Sequence, residues 1–223
     1  MNCTLCDAAL TTMADAFYFI CHTCGAYVKD QKYYVGNIEE KKHYQTHNND
    51  VEDPRYQQFA SPITNAILAQ FDQKHQGLDY GCGTGPVIAK QLTDRGYRVK
   101  LFDPYFFPDY DYLNCRYDYI FSCEVFEHFQ QPAQEIEKLL QLLNPNGKLL
   151  VMTHLYDQAT DFANWYYRKD PTHVFIYTRQ TIAYIARQRR LAIETLTDRL
   201  IVLRKLADND ARDLAQDRQG ENK

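Results

Sequence analysis

From residue 61 onward, short apolar runs alternate with amphipathic stretches. Ser61-Pro62 predicts a helix start, with serine as cap and proline in the first turn, and Ile63, Ile67, Leu68 and Phe71 follow with helical period. Runs at Gly77–Tyr80, Tyr97–Phe102, Tyr117–Ser122 and Lys148–Thr153 read as strands. Pro86–Arg95, closed by Gly96, and Pro132–Leu143, ahead of an Asn144-Pro145-Asn146-Gly147 turn, read as helices. Thr178–Arg189 is a further helix, and Ala192–Thr197 and Leu200–Leu206 flank Asp198-Arg199 as a hairpin. The pattern predicts an α/β fold, doubly wound around a mostly parallel sheet, with a C-terminal antiparallel hairpin.

The pattern breaks on either side of that region. Residues 1–29 form a compact block with paired cysteines, and residues 30–60 are polar and tyrosine-rich, as in a linker packed on the domain that follows. Residues 61–206 make the main domain, and residues 207–223, charged and poor in apolar side chains, predict a disordered tail.

Composition narrows the function classes. A net charge of −4 is not that of a general polyanion binder. The Arg187–Arg190 run is the one basic cluster, and such a run on a helix is usually a solvated face. No apolar run is long enough for a bilayer and no secretory signal opens the chain, so a cytoplasmic, non-membrane protein is expected. A reducing compartment makes disulfides an unexpected use of the seven cysteines. Cys82, Cys115 and Cys123 are scattered and read as incidental thiols.

Candidate chemistry starts at Asp79-Tyr80-Gly81-Cys82-Gly83-Thr84-Gly85, between a strand and a helix. Glycines permit a tight turn and close ligand approach, and the helix behind them aims N–H groups at the ligand. The next strand ends at Asp103, where a βαβ unit places an acid near ribose hydroxyls. A nicotinamide-nucleotide loop competes with this reading, but the G-x-G-x-G spacing is not the usual pyrophosphate pattern. At these positions the chain resembles the class I S-adenosylmethionine-dependent methyltransferase family, which has a Rossmann-like fold. Asp79, Gly81, Cys82, Gly83 and Gly85 resemble its first motif, and Asp103 its ribose-binding acid. Cys123, Glu124 and Val125, opening Cys123-Glu124-Val125-Phe126-Glu127-His128, resemble the segment bordering adenine and methyl donor. The resemblance spans roughly residues 60 to 205 and lies nearest the quinone-biosynthesis O-methyltransferase-like branch.

Cys3-x-x-Cys6 and Cys21-x-x-Cys24 have the spacing of two metal knuckles, and Gly25 suits the turn after the second. A block this short lacks a sufficient core, so a structural Zn²⁺ is expected; an iron–sulfur cluster or free thiols are the alternatives. The knuckles resemble zinc ribbons that precede some bacterial methyltransferases, including certain ribosomal RNA enzymes.

Phe162 to His173 follows the fourth strand and holds Trp165, Tyr167 and Asp170-Pro171-Thr172-His173. In the resembled fold this connection covers the substrate edge, which makes His173 the candidate catalytic base, with packing as the competing role. His128 and His154 read as structural, and Tyr44 and His47 as linker groups that reach over the cofactor. The resemblance implies methyl transfer to a small-molecule acceptor with an O or C nucleophile. Position 123–126 lacks the Asn/Asp-Pro-Pro-Tyr/Phe of base-amine methyltransferases. An RNA methyltransferase gripping its substrate through the ribbon, and a non-catalytic S-adenosylmethionine-binding module, remain as alternatives.

Overall fold

A computed structural model of the protein describes residues 1–46 and 49–207. His47, expected above the cofactor, and the expected tail apart from Ala207 lie outside the described residues. Six strands form the central sheet in the order β5 (Arg98–Phe102), β4 (Gln76–Tyr80), β6 (Tyr117–Cys123), β7 (Leu143–Met152), β10 (Leu200–Lys205), β9 (Leu191–Leu196). The first four are parallel; β10 pairs antiparallel with both β7 and β9, so the terminal hairpin is present.

The core follows from strand alternation, because successive side chains point to opposite faces. Ile120, Leu149, Val151 and Leu203 face a layer with α4 (Pro132–Leu142) and α6 (Arg179–Arg189). Tyr119, Phe121, Leu150, Met152 and Val202 face α2 (Pro54–Gln70) and α3 (Val87–Thr93). Strands covered on both faces need apolar residues at nearly every position, which is why these runs read as continuous rather than alternating.

Helix α2 starts seven residues before the expected Ser61. Asp53 caps it, its carboxylate accepting from the Arg55 amide at 2.8 Å, and Pro54 fills the first turn. Pro62 is therefore interior and leaves the Gln58 carbonyl without its helical donor. The Ser61 hydroxyl donates to that carbonyl at 2.8 Å, which makes the interior proline tolerable.

Part of the expected linker is helix α1 (Asn37–Gln45). The cysteine block builds its own small sheet from β1 (Thr12–Met13), β2 (Tyr18–Ile20) and β3 (Tyr27–Lys29). A fourth strand, β8 (Phe175–Ile176), comes from the connection after β7, beyond the short helix α5 (Tyr166–Lys169), and pairs antiparallel with β3. Thr178 extends this link: its hydroxyl donates to the Gly25 carbonyl at 3.0 Å and caps α6 by accepting from the Thr181 amide. The Arg187–Arg190 run closes α6, where Arg189 pairs with Glu137 at 3.0 Å.

Thr178→Ala is expected to cost about 1 kcal/mol from the lost cap. That corresponds to a fall in Tm of about 2–4 °C. An unchanged thermal melt would show that neither the cap nor the Gly25 link is stabilising.

Candidate active site

Asp79, Gly81, Cys82, Gly83, Gly85, Asp103, Cys123, Glu124 and Val125 all gather at the C-terminal edge of β4, β5 and β6 and in the loop from β4 to α3. The amides of Gly81 and Cys82 both donate to the Phe102 carbonyl, at 2.8 and 3.1 Å, tying the loop to the end of β5. Gly81 has φ 79°, and a Cβ there would lie 2.6 Å from the Val125 side chain. At Gly85 a Cβ would lie 1.9 Å from the Asn49 carbonyl oxygen. The chain between α1 and α2 thus closes directly on the loop: the Asn49 amide donates to Thr84 Oγ1 at 3.1 Å, and the Tyr56 hydroxyl to the Gly85 carbonyl at 3.1 Å. Tyr44, expected to reach over the cofactor, sets its ring 6.1 Å from that of Tyr105, beside Asp103, and edge-on to His128 at 5.2 Å.

Asp103 organises the loop before it meets any ligand. One oxygen accepts from the Gly83 amide at 3.0 Å and the other from the Tyr105 and Phe106 amides at 2.8 and 3.0 Å. A carboxylate accepts about four hydrogen bonds, so roughly one site remains for a ribose hydroxyl. Asp79 and Asp103 are only 5% and 7% exposed, and among the described residues neither has an ion pair. Burial first, and then the Asp103 charge, push the Asp79 carboxyl well above the usual range.

Cys82 is buried and Cys123 half-buried; burial pushes both thiols up, so neither is a nucleophile at neutral pH. Glu124 adopts φ 55°, an uncommon conformation for a residue other than glycine, as the chain leaves β6. Its carboxylate pairs with Arg199 at 3.2 Å, yet burial and the neighbouring Glu127 raise it to about 7.

Beyond Val125 lies a second polar cluster. Glu127 is fully buried; its Oε2 accepts from the Thr153 hydroxyl at 2.9 Å, and Oε1 has no hydrogen-bond partner among the described residues. His128 Nε2 and His173 Nε2 each stand 3.9 Å from that Oε1. Burial, and then the adjacent His128, push His173 down to about 3. Its ring is therefore neutral at physiological pH, with a lone pair to offer at Nε2 but reduced basicity. His128, expected to be structural, joins His173 with ring centroids 4.8 Å apart. His154 stacks on Tyr167 at 5.1 Å, while Phe175 is core and Trp165 packs against the Tyr156–Tyr167 cluster. Glu127 was the missed member; the acid-histidine pair just after a strand end was the signal for it.

Cys3, Cys6, Cys21 and Cys24 also converge, their sulfurs all within 4.8 Å of one another. Cys3–Cys24 and Cys6–Cys21 are separated by 3.6 and 3.4 Å, too far for disulfides and close to the edge of about 3.8 Å in a tetrahedral Zn–S₄ site. Both knuckles repeat one backbone pattern. Cys3 N donates to Ala8 O and Asp7 N to Cys3 O; Cys21 N donates to Ala26 O and Gly25 N to Cys21 O. Asp7 (φ 60°) and Gly25 (φ 77°) occupy matching left-handed positions. Four mutually close sulfurs on two matched knuckles fit a thiolate-bound metal.

A methyltransferase-domain family model matches residues 53–196. The chain belongs to this family. No curated protein matches its sequence. Among solved structures, this methyltransferase-family chain is similar in fold to 1,6-didemethyltoxoflavin-N1-methyltransferase of Burkholderia thailandensis, solved with 1,6-didemethyltoxoflavin and S-adenosylhomocysteine (TM-score 0.54, 14% identity, 89% of this chain and 100% of that one). It is similar to human N-acetylserotonin methyltransferase in complex with SAM (TM-score 0.51, 14% identity, 77% and 57%). A third likeness is to magnesium protoporphyrin IX methyltransferase of Synechocystis PCC 6803 with bound SAH (TM-score 0.50, 13% identity, 78% and 97%). At these identities the likeness is one of fold. No described helix is long and apolar enough to cross a membrane.

The donor set of this methyltransferase fits S-adenosylmethionine. The buried Asp79 carboxyl, without a protein cation, suits a positively charged ligand, and the loop is too tight for a side chain at Gly81 and Gly85. With Asp79 raised above its unfolded value of about 3.9, the ligand-free fold holds the proton more tightly than the unfolded chain. Stability is then greatest in acid and falls as pH rises above that value until the folded carboxyl has ionised. Asp79→Asn removes this contribution, so its Tm should gain on the parent as pH is raised from 4 to 8 without ligand. A Tm difference independent of pH would contradict the buried, uncompensated carboxyl.

Proposed function

We propose that the protein transfers the methyl group of S-adenosylmethionine to a small-molecule acceptor through an oxygen or carbon nucleophile. The observation that carries the reading is the buried Asp79–Asp103 pair, without a cation, beneath the glycine loop. In this assignment Asp103 keeps one acceptor position for the ribose, and Gly81, Cys82, Gly83 and Gly85 cradle the amino-acid end. Cys123, Glu124 and Val125 border the base and the sulfonium. The acceptor's lone pair attacks the methyl carbon in line, the C–S bond breaks onto sulfur, and neutral S-adenosylhomocysteine leaves. A hydroxyl acceptor also loses a proton. The chain supplies position, which in favourable cases is worth about 7–11 kcal/mol of the barrier.

Asp103→Ala should weaken S-adenosylmethionine binding about ten- to a hundred-fold, the scale of a charge-assisted hydrogen bond. Asp103→Asn, which keeps an oxygen for the amides, should lose less. Titration calorimetry on both variants and the parent reads this; equal affinities would place the cofactor elsewhere.

The four cysteines are assigned one structural Zn²⁺. Its role follows from what hangs on the block: Tyr18 donates its hydroxyl to the His173 carbonyl at 2.7 Å, and Lys29 Nζ donates to the Pro171 carbonyl at 2.6 Å. A mercurial thiol reagent should release one Zn²⁺ per chain. Chelation should speed amide hydrogen exchange through Thr172–Ile176 as well as in the block. Exchange confined to residues 1–29 would show that the metal does not support the segment carrying His173.

A further inference from the structure

We propose that Glu127, His128 and His173 form a second metal site, a two-histidine, one-carboxylate set for a divalent first-row transition ion. It is separate from the four cysteines, and its existence does not depend on the methyl-transfer reading.

The argument begins with tautomers. His128 Nδ1 lies 3.1 Å from the Thr172 carbonyl oxygen, and His173 Nδ1 lies 2.7 Å from the Tyr167 carbonyl oxygen. A carbonyl only accepts, so in both neutral rings the hydrogen sits on Nδ1 and Nε2 presents a lone pair. Those two nitrogens and Glu127 Oε1 lie within 4.8 Å of one another. The carboxylate oxygen is fully buried and accepts no hydrogen bond from any described residue. Three acceptors thus converge, and for the buried, unpartnered Glu127 Oε1 the arrangement is costly. A cation at their centre satisfies all three.

The chemistry narrows the cation. Imidazole nitrogens held by a backbone carbonyl on the far side are the usual supported form of a metal-binding histidine. Two such nitrogens with one carboxylate suit Zn²⁺, Fe²⁺ or Co²⁺ rather than the oxygen-seeking Mg²⁺ or Ca²⁺. Metal–ligand bonds of about 2.1 Å set tetrahedral edges near 3.4 Å, so the 3.9 Å separations need to contract by roughly 0.5 Å. Among the described residues the set supplies three ligands, one fewer than a closed tetrahedral site, so a coordination position is open to an exogenous oxygen. If the protein methylates a hydroxyl, an ion with that open position would lower the hydroxyl's pKa.

The test uses full-length protein loaded with one equivalent of Zn²⁺, then titrated with Co²⁺ in the visible and near ultraviolet. The expected result is one further equivalent bound, with d–d bands of a nitrogen–oxygen site and no thiolate charge-transfer band. A charge-transfer band would mean that the cobalt sits on the cysteines. Glu127→Gln, close to the parent in shape, and His173→Ala should each weaken this second binding at least tenfold in protein that still melts cooperatively. Saturating Mg²⁺ should leave the spectrum unchanged. Cobalt remaining in its aqueous spectrum, binding unaffected by either variant, thiolate bands only, or displacement by Mg²⁺ would each overturn the proposal.

Discussion

The burial of two neighbouring carboxylates at the end of the sheet is the constraint around which the site is arranged. Asp79 and Asp103 end adjacent parallel strands, are almost wholly buried, and form no ion pair among the described residues. Left without partners, such groups would cost several kcal/mol. The loop geometry reduces that cost for Asp103 alone, by turning three amides onto it. Asp79 receives no such relief, and its raised pKa is the result. A fold that retains this strain in its empty state is prepared for a positively charged ligand, and the methyl donor of this family's chemistry carries two such charges.

The cysteine block is wired into the opposite side of the same site. Strand β3 takes β8 as its neighbour, so the sheet of the N-terminal block includes residues from the connection after β7. Tyr18 and Lys29 hold the carbonyls of His173 and Pro171, and Arg168 pairs with Asp15 while stacking on Phe17 and Tyr18. A connection that would otherwise be a long loop is fixed on both flanks. The block acts as a brace for residues 170–177.

Between the donor loop and this brace lies the Glu127 cluster, reached from Gly81 through the single side chain of Val125. Glu124, in a left-handed conformation, turns the chain so that Val125 meets the loop while Glu127 enters the interior. One short segment therefore serves both the glycine loop and the Glu127 cluster.

The sequence by itself determined the order of the central-sheet strands and the helices that cover them, the glycine loop with its two acids, and the paired cysteines. Each depends on residues a few positions apart, where periodicity, capping and turn chemistry act locally. Asp53-Pro54 and Ser61-Pro62 carry the same local signal for the start of α2; the packing of Tyr56 and Ala60 against the core favours the earlier one. Other features were decided by tertiary structure alone. The pairing of β3 with β8 joins residues almost 150 positions apart. Three amides occupy most of Asp103, and Asn49 closes on the glycine loop. His128 and His173 meet Glu127 only because the brace brings residue 173 back to the end of β6. Burial and mutual approach set which lone pairs are left unpaired, and these are properties of the packed chain that no local pattern encodes.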